Sequence, residues 1–320
     1  MSTRRSAGCT FVFCMICSGI MGLSEPVESV LDFYDSENPG VKTNLVRMLT
    51  HGALAGTGRL LILPVDQGFE HGPVRSFGVN PSACDPHYHY RLARDCGFSA
   101  YAAPLGMLEC GAAMYAGQIP TILKLNGSTA LTPKSTPPTQ VITASVKDAL
   151  RLGCVAIGLT IYPGSESFFS MVREVKELIH EAKMCGLAVV VWSYPRGGDI
   201  SKEGETSLDI ISYAAHVAAS LGAHIIKVKL PTARIERDNV EPDMLSSLAQ
   251  RVAYVKRCCF AGRRMVVFSG GDTKDDESLF QEVAAVRAGG GDGSIIGRNT
   301  FQRSEKDAVS LISSIVKLYS

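Results

Sequence analysis

Very little net charge is left over in this chain: 32 Lys and Arg stand against 31 Asp and Glu, a formal balance of +1. That gives no sign of a nucleic-acid partner, and a small molecule is expected instead. Cys14 and Cys17 form a single CxxC with no second pair at zinc-ribbon spacing. The other cysteines, at 9, 84, 96, 110, 154, 185, 258 and 259, are scattered, several of them in apolar segments where a free thiol acts as a small hydrophobe. No disulfide framework is read, and a reducing, cytoplasmic setting is expected. No G-x-G-x-x-G follows the first strand-like run, which leaves a doubly wound sheet as the runner-up architecture only. His71, His87 and His89 lack a convincing ligand set, because Cys84 and Asp85 do not complete one. No metal and no other cofactor is expected, and 87–89 reads as the start of a helix near Pro86. Neither an internal repeat nor a low-complexity segment stands out.

Long apolar runs are missing too, with one exception near the start. Residues 9–23 are apolar and follow Arg4 and Arg5, as in a signal peptide, but no A-x-A cleavage site follows and the run is short for a membrane span. The readings left open are a targeting segment, a poorly ordered extension and an upstream start; no membrane partner is expected. Residues 24–54 read as a helical lead-in, so the expected division is an N-terminal extension over 1–54 and a catalytic domain over 55–320.

What is present is a soluble-type composition, 46% hydrophobic and 20% charged over 320 residues, able to bury a large core. From about residue 55, β-branched runs alternate with helical patterns. The strands are expected at 59–66, 99–104, 121–126, 155–162, 188–195, 224–230, 265–271 and 293–299. Helices are expected between them, including 141–152, 168–185, 207–221, 242–256 and 275–288; 128–139, with three prolines, reads as a loop. Near-continuous apolar strands separated by helices imply a parallel sheet covered on its outer face, and eight such units fit a TIM (β/α)8 barrel of the α/β class.

In such a barrel the chemistry sits at the C-terminal ends of the strands. Those positions hold Asp66, Asn126, Tyr162, Tyr194, Lys227, Ser269 and Arg298. The most telling stretch is HIIKVKLP (224–231). Alternation puts Lys227 and Lys229 on one face of an apolar strand, where burying an ammonium is costly unless the lysine must lose its proton to react. Lys229 should lie about 6.6 Å along the strand. At an effective dielectric near 20 its repulsion is worth about 2.5 kcal/mol, nearly two pKa units. The competing reading makes Lys227 an interior lysine paired with Asp66. Asp66 itself, in LPVDQGFEHGP (63–73), could hold a substrate hydroxyl, relay protons, or simply cap a turn. In WSYPRGG (192–198), Trp192 and Tyr194 share a face, Tyr194 can transfer a proton, and Arg196 suits an anion; core packing is the alternative for Trp192. Ser269, Gly270 and Gly271 after the seventh strand, with Gly297 and Arg298 after the eighth, occupy the usual phosphate position of the fold.

Together LPVDQGFEHGP, LKLNGST, WSYPRGG, GAHIIKVKLP, SGGDTK and GRN resemble the archaeal-type class I fructose-bisphosphate aldolase family, which includes bacterial members. The resemblance spans about Leu60 to Asn299. It implies a metal-independent TIM barrel with Lys227 as the Schiff-base lysine, Asp66 as the acidic residue and Tyr194 as the acid/base. Trp192, Arg196, Lys229, Ser269, Gly270, Gly271, Gly297 and Arg298 would then contact a sugar phosphate substrate. The implied reaction is reversible cleavage of fructose 1,6-bisphosphate in glycolysis and gluconeogenesis, with Tyr194 or Asp66 assisting loss of the C4 hydroxyl proton. A homo-oligomer built on pentamers, such as a decamer, is implied as well. The rivals are a lysine-dependent thiolase or heptulosonate synthase of the same family, a metal-dependent aldolase, and a non-catalytic barrel.

Overall fold

Strands form where apolar, β-branched runs are bounded by turn residues, and the computed structural model, which describes residues 22–238, 240, 242–269 and 275–320, contains ten. They are β1 Leu60–Pro64, β2 Ala100–Pro104, β3 Thr121–Lys124, β4 Asn126–Gly127, β5 Val141–Ile142, β6 Ala156–Ile161, β7 Ala188–Ser193, β8 Ile225–Lys229, β9 Met265–Ser269 and β10 Gly293–Ile295. Eight close into a parallel barrel in the order β1-β10-β9-β8-β7-β6-β3-β2, the TIM-barrel fold expected from the alternation. Closure depends on Gly293: it pairs with Leu60, has φ +131°, and a Cβ there would lie 1.8 Å from the Leu60 carbonyl oxygen.

Two expected boundaries shift. Residues 141–152 are not one helix, because Val141–Ile142 pair antiparallel with Asn126–Gly127. The helix begins at Val146, where Ser145 and Asp148 form a reciprocal capping box. The 242–256 segment divides into a 3-10 turn, Pro242–Leu245, and a helix, Leu248–Cys258, whose start is capped by the Ser247 side chain accepting from Gln250 N. The 128–139 stretch is a loop, as expected.

Period-two alternation sorts the strand residues into two cores. Leu61, Tyr101, Ile157, Val189, Ile226 and Val266 face the surrounding helices. Leu60, Ala102, Ile122, Val190, Ile225 and Val267 fill the barrel interior, in one cluster with Val27, Tyr34, Leu45 and Met48 from the lead-in. The lead-in contains helices α1 (Glu25–Leu31) and α2 (Pro39–Leu49). Tyr34, fully buried, donates to the His224 carbonyl at 2.5 Å and accepts from Met265 N at 3.0 Å. Glu37 lies 2.6 Å from Lys183 Nζ and 3.1 Å from His224 Nε2. These contacts fall where β8 and β9 begin, so the lead-in plugs the N-terminal end of the barrel and leaves the other end open.

After β1 come α3 (Gln67–His71), α4 (Pro73–Phe77) and α5 (Pro86–Asp95). His87 and His89 open α5, as expected: the Asp85 side chain accepts from His87 N, and buried His89 bonds the Ala83 carbonyl at 2.8 Å. Among the described residues no helix is long and apolar enough to cross a membrane, and every cysteine is free. The apolar run over 9–21 lies outside the described residues.

Candidate active site

Lys227 follows Ile225 on the inward face of β8 and is only 6% exposed. Its Nζ lies 5.4 Å from the centre of the Tyr194 ring and 5.7 Å from that of Trp192. Burial pushes its pKa down to about 8; Asp66 and Glu70 pull it up, while Lys124 and Arg298 push it further down. The expected repulsion from Lys229 is not the cause. Lys229 turns to Glu205, 3.1 Å away, which also holds Lys202 at 2.9 Å, so its charge is neutralised at the rim. Lys229 still lines the cavity.

The neighbouring cation that does matter was missed. Lys124, on β3, is 2% exposed and donates to Thr160 Oγ1 at 2.5 Å. It lies 3.8 Å from Asp66 Oδ2 and 4.6 Å from the Trp192 ring centre. The interior ion pair weighed for Lys227 therefore belongs to Lys124, and among the described residues no carboxylate comes within ion-pairing distance of Lys227. A lysine inside TILKLN carries the same signal that singled out Lys227, and could have been read the same way.

Trp192 is buried beneath this pair of ammonium groups and does not line the cavity. Its ring lies against both Lys124 Nζ and Lys227 Nζ, 4.6 and 5.7 Å from its centre, and forms a floor under the two ammonium groups. Asp66 stands at the N-cap position of α3, yet its side chain makes no cap hydrogen bond, so the turn-capping alternative falls away. Asn126 is also displaced from the mouth. Its amide donates to the Thr160 carbonyl at 2.8 Å and its oxygen accepts from Thr160 N at 2.7 Å, which splices it onto β6.

The open end of the barrel is a cavity walled by Asp66, Tyr194, Arg196, Lys227, Lys229, Ser269, Gly297 and Arg298 together with Gln67, Glu70, His71 and Asn299. Burial, then Asp66 and Glu70, hold the Tyr194 phenol well above its usual pKa, so it is a neutral donor. The Arg196 guanidinium lies over the Tyr162 and Tyr194 rings, 5.3 and 5.4 Å from their centres. Gly297 packs so tightly on β1 that a Cβ would lie 2.6 Å from the Pro64 carbonyl oxygen. Gly270 and Gly271 lie outside the described residues. Glu70, left without a role on sequence grounds, has its carboxyl lifted to about 7, first by burial and then by Asp66. Among the described residues no group of three or more His, Cys, Asp and Glu could hold a metal. An amine that deprotonates near neutral pH, a neutral phenol over it and cations at the rim suit covalent capture of an anionic carbonyl compound.

The DeoC/LacD family aldolase model matches residues 60–303. A class 1 fructose-bisphosphate aldolase of Thermoproteus tenax is 37% identical over 265 residues, covering 82% of this chain and 90% of that protein. A probable class 1 fructose-bisphosphate aldolase of Chlamydia trachomatis is 37% identical over 299 residues, 88% of this chain and 85% of that one. Among solved structures, an archaeal fructose-1,6-bisphosphate aldolase with its catalytic lysine covalently bound to the carbinolamine intermediate of the substrate is 35% identical, with TM-score 0.73 over 86% of this chain and 98% of that one. With the whole barrel matched and more than a third of the aligned residues identical, this chain belongs to the DeoC/LacD aldolases, in the class 1 fructose-bisphosphate aldolase family.

Proposed function

We propose that the protein is a Schiff-base aldolase that reversibly cleaves fructose 1,6-bisphosphate to dihydroxyacetone phosphate and glyceraldehyde 3-phosphate. The observation that carries this reading is the Lys227 amine, buried, facing a cavity and free of any carboxylate partner among the described residues, with the Tyr194 ring centre 5.4 Å away. In its neutral form Lys227 attacks C2 of the open-chain ketose; loss of water gives an iminium, which draws in the electron pair of C3–C4 as that bond breaks, while Tyr194 or Asp66 assists loss of the C4 hydroxyl proton and C4 leaves as the aldehyde. Tyr194, a neutral phenol, protonates C3 of the resulting enamine, and hydrolysis frees the amine. Asp66, held by Lys124, faces the carbinolamine. Ser269, Gly270, Gly271, Gly297 and Arg298 take one phosphate; Arg196 and Lys229 serve the other end.

The division into a lead-in over 1–54 and a catalytic barrel over 55–320 belongs to this proposal, and the family match beginning at residue 60 supports it. So do a cytoplasmic setting in glycolysis and gluconeogenesis and a pentamer-based homo-oligomer; exposed Phe169 and Val74, 80% and 86% accessible, are surfaces a second copy could cover.

Borohydride reduction in the presence of fructose 1,6-bisphosphate, followed by peptide mapping, tests the central claim. The adduct is expected on the peptide carrying Lys227, with activity unaffected by EDTA and independent of coenzyme A. An adduct on another lysine, or none, removes the mechanism; dependence on coenzyme A moves the protein to a thiolase, and loss of activity in EDTA to a metal-dependent aldolase.

A further inference from the structure

Arg196 lines two cavities: the one that holds Lys227, and an outer neighbour walled by the 127–139 loop. Tyr194 lines the first and Tyr162 the second, and the Arg196 guanidinium lies 5.4 and 5.3 Å from the centres of their rings. The backbone fixes this grouping. Tyr162 is the residue that follows β6. Alongside it, Tyr194 N donates to the Ile161 carbonyl at 3.0 Å and Arg196 N to the Pro163 carbonyl at 3.1 Å. The Tyr162 side chain is only 3% exposed, and its hydroxyl accepts from the Nε2 of buried Gln140 at 2.7 Å. A second tie joins the turn after β6 to the loop, where Ser165 Oγ donates to the Pro138 carbonyl at 2.5 Å. The ring is thus held by the barrel on one side and by the outer loop on the other.

Arg196 itself is half-buried, its Nε has no hydrogen-bond partner, and its side chain makes no ion pair among the described residues. Two aromatic rings attract a guanidinium without taking up its N–H donors, so the planar fork stays available for an oxyanion. An arginine without such a hold samples many rotamers, and here Asp66 and Glu70 in the same cavity wall would draw it away from that task. The space beside it is of the right kind. The inner cavity, about 110 Å³, is small against the usual ligand pocket of about 300–1,000 Å³, whereas the outer one adds about 360 Å³. A six-carbon bisphosphate held at C2 by Lys227 therefore sends its distal end past Arg196.

We propose that Tyr162 is a positioning residue that sets the preference for a phosphorylated aldehyde half: its ring holds the Arg196 guanidinium at the boundary of the two cavities, where the fork meets the distal phosphate. The inference rests on the reading above in which Arg196 serves that end of the substrate. Tyr162 acts through Arg196 and not on the reacting atoms. Its loss therefore weakens binding of the bisphosphate while leaving the chemistry at Lys227 in place. The ring face does this work, and the bond from Gln140 ties the ring to the outer wall.

The test compares fructose 1,6-bisphosphate with fructose 1-phosphate, the same ketose without the distal phosphate, in full-chain variants. Tyr162→Leu is expected to raise KM for the bisphosphate about tenfold with kcat within about twofold of wild type. Its kcat/KM for fructose 1-phosphate is expected to stay at the wild-type level, which also reports an intact fold. Tyr162→Phe keeps the ring and should restore KM for the bisphosphate to within about threefold of wild type. In an Arg196→Met background, Tyr162→Leu should add no further loss, since the ring has nothing left to hold. An unchanged KM in Tyr162→Leu overturns the proposal, and so does an equal loss on both substrates, which would make the ring a part of the barrel packing. A Phe variant as impaired as the Leu variant, or full additivity with Arg196→Met, overturns it as well. If Arg196→Met alone leaves KM for the bisphosphate at the wild-type value, the distal-phosphate reading of Arg196 fails first, and the role of Tyr162 falls with it.

Discussion

Holding an amine inside an apolar barrel costs stability whenever that amine is charged. Lys227 drops from its ordinary 10.5 to about 8, a differential of roughly 3 kcal/mol between its two protonation states. The folded pKa lies below the unfolded one, so between about 8 and 10.5 the unfolded chain binds more protons, and stability rises with pH across that window. Below 8 the whole penalty is present. Lys227→Met should therefore abolish cleavage and trapping while stabilising the fold by roughly 1–3 kcal/mol at pH 7. Denaturant titration at several pH values checks this, and the gain should shrink toward zero above about 10.5. In the wild-type protein, the rate of imine formation should climb as pH rises through about 8, the range in which the amine becomes neutral. A variant that loses activity without gaining stability would mean that the amine is not held at a cost.

At the scale of the strands, what makes room for Lys124 and the ring beneath both lysines is a missing side chain on β6. A Cβ on Gly158 would lie 2.7 Å from Trp192 Cζ3 and 3.1 Å from Lys124 Cδ. Trp192 is buried on all sides and cannot retreat, so the glycine makes room for the ring and the aliphatic stem together. Gly158→Ala is expected to cost about 1–3 kcal/mol in stability. It should also lower kcat more than it changes KM, because the displaced parts lie under the reacting amine and not at the phosphate rim. Equilibrium unfolding and steady-state kinetics read the two effects separately. An alanine variant with unchanged kcat would show that the floor can rearrange freely. The same logic explains why the strand ends were easy to assign and the first turns after them were not. Hydrophobic alternation marks a strand, whereas the Ser145–Asp148 box and the Ser247 cap start their helices later than periodicity alone suggests.

At the scale of the whole molecule, the lead-in and the barrel share one interior core, and their junction is polar. Glu37 is pulled down to about 2, chiefly by its contact with His224 and also by Lys183, against the opposing effect of burial. His224 is itself held below its ordinary value by burial, and Val189 N donates to its Nδ1 at 2.9 Å, so the Nε2 hydrogen faces Glu37. A depressed carboxyl stabilises the fold above its unfolded value of about 4.5 and loses that contribution as pH falls toward 2. After discounting for solvent screening, Glu37→Gln should cost about 1–2 kcal/mol at neutral pH, with the difference from wild type closing on acidification through that window. Thermal unfolding at pH 7 and pH 3 measures it; a difference independent of pH would assign the loss to packing and not to charge.

The barrel was legible because its determinants are local. Alternation along β8, the β-branched runs and the intervening helical periods each lie within about a dozen residues, and a strand's inward face follows from its own pleat. Lys227 and Tyr194 could be named for the same reason: each stands out against its own strand. What only the tertiary structure decided is which charges meet. Lys229, two residues from Lys227, turned to Glu205, while Lys124, from a strand more than a hundred residues earlier, came to share the site with Asp66 and Glu70. Coulomb energy depends on separation and burial in space, and neither is written in the spacing of residues along the chain.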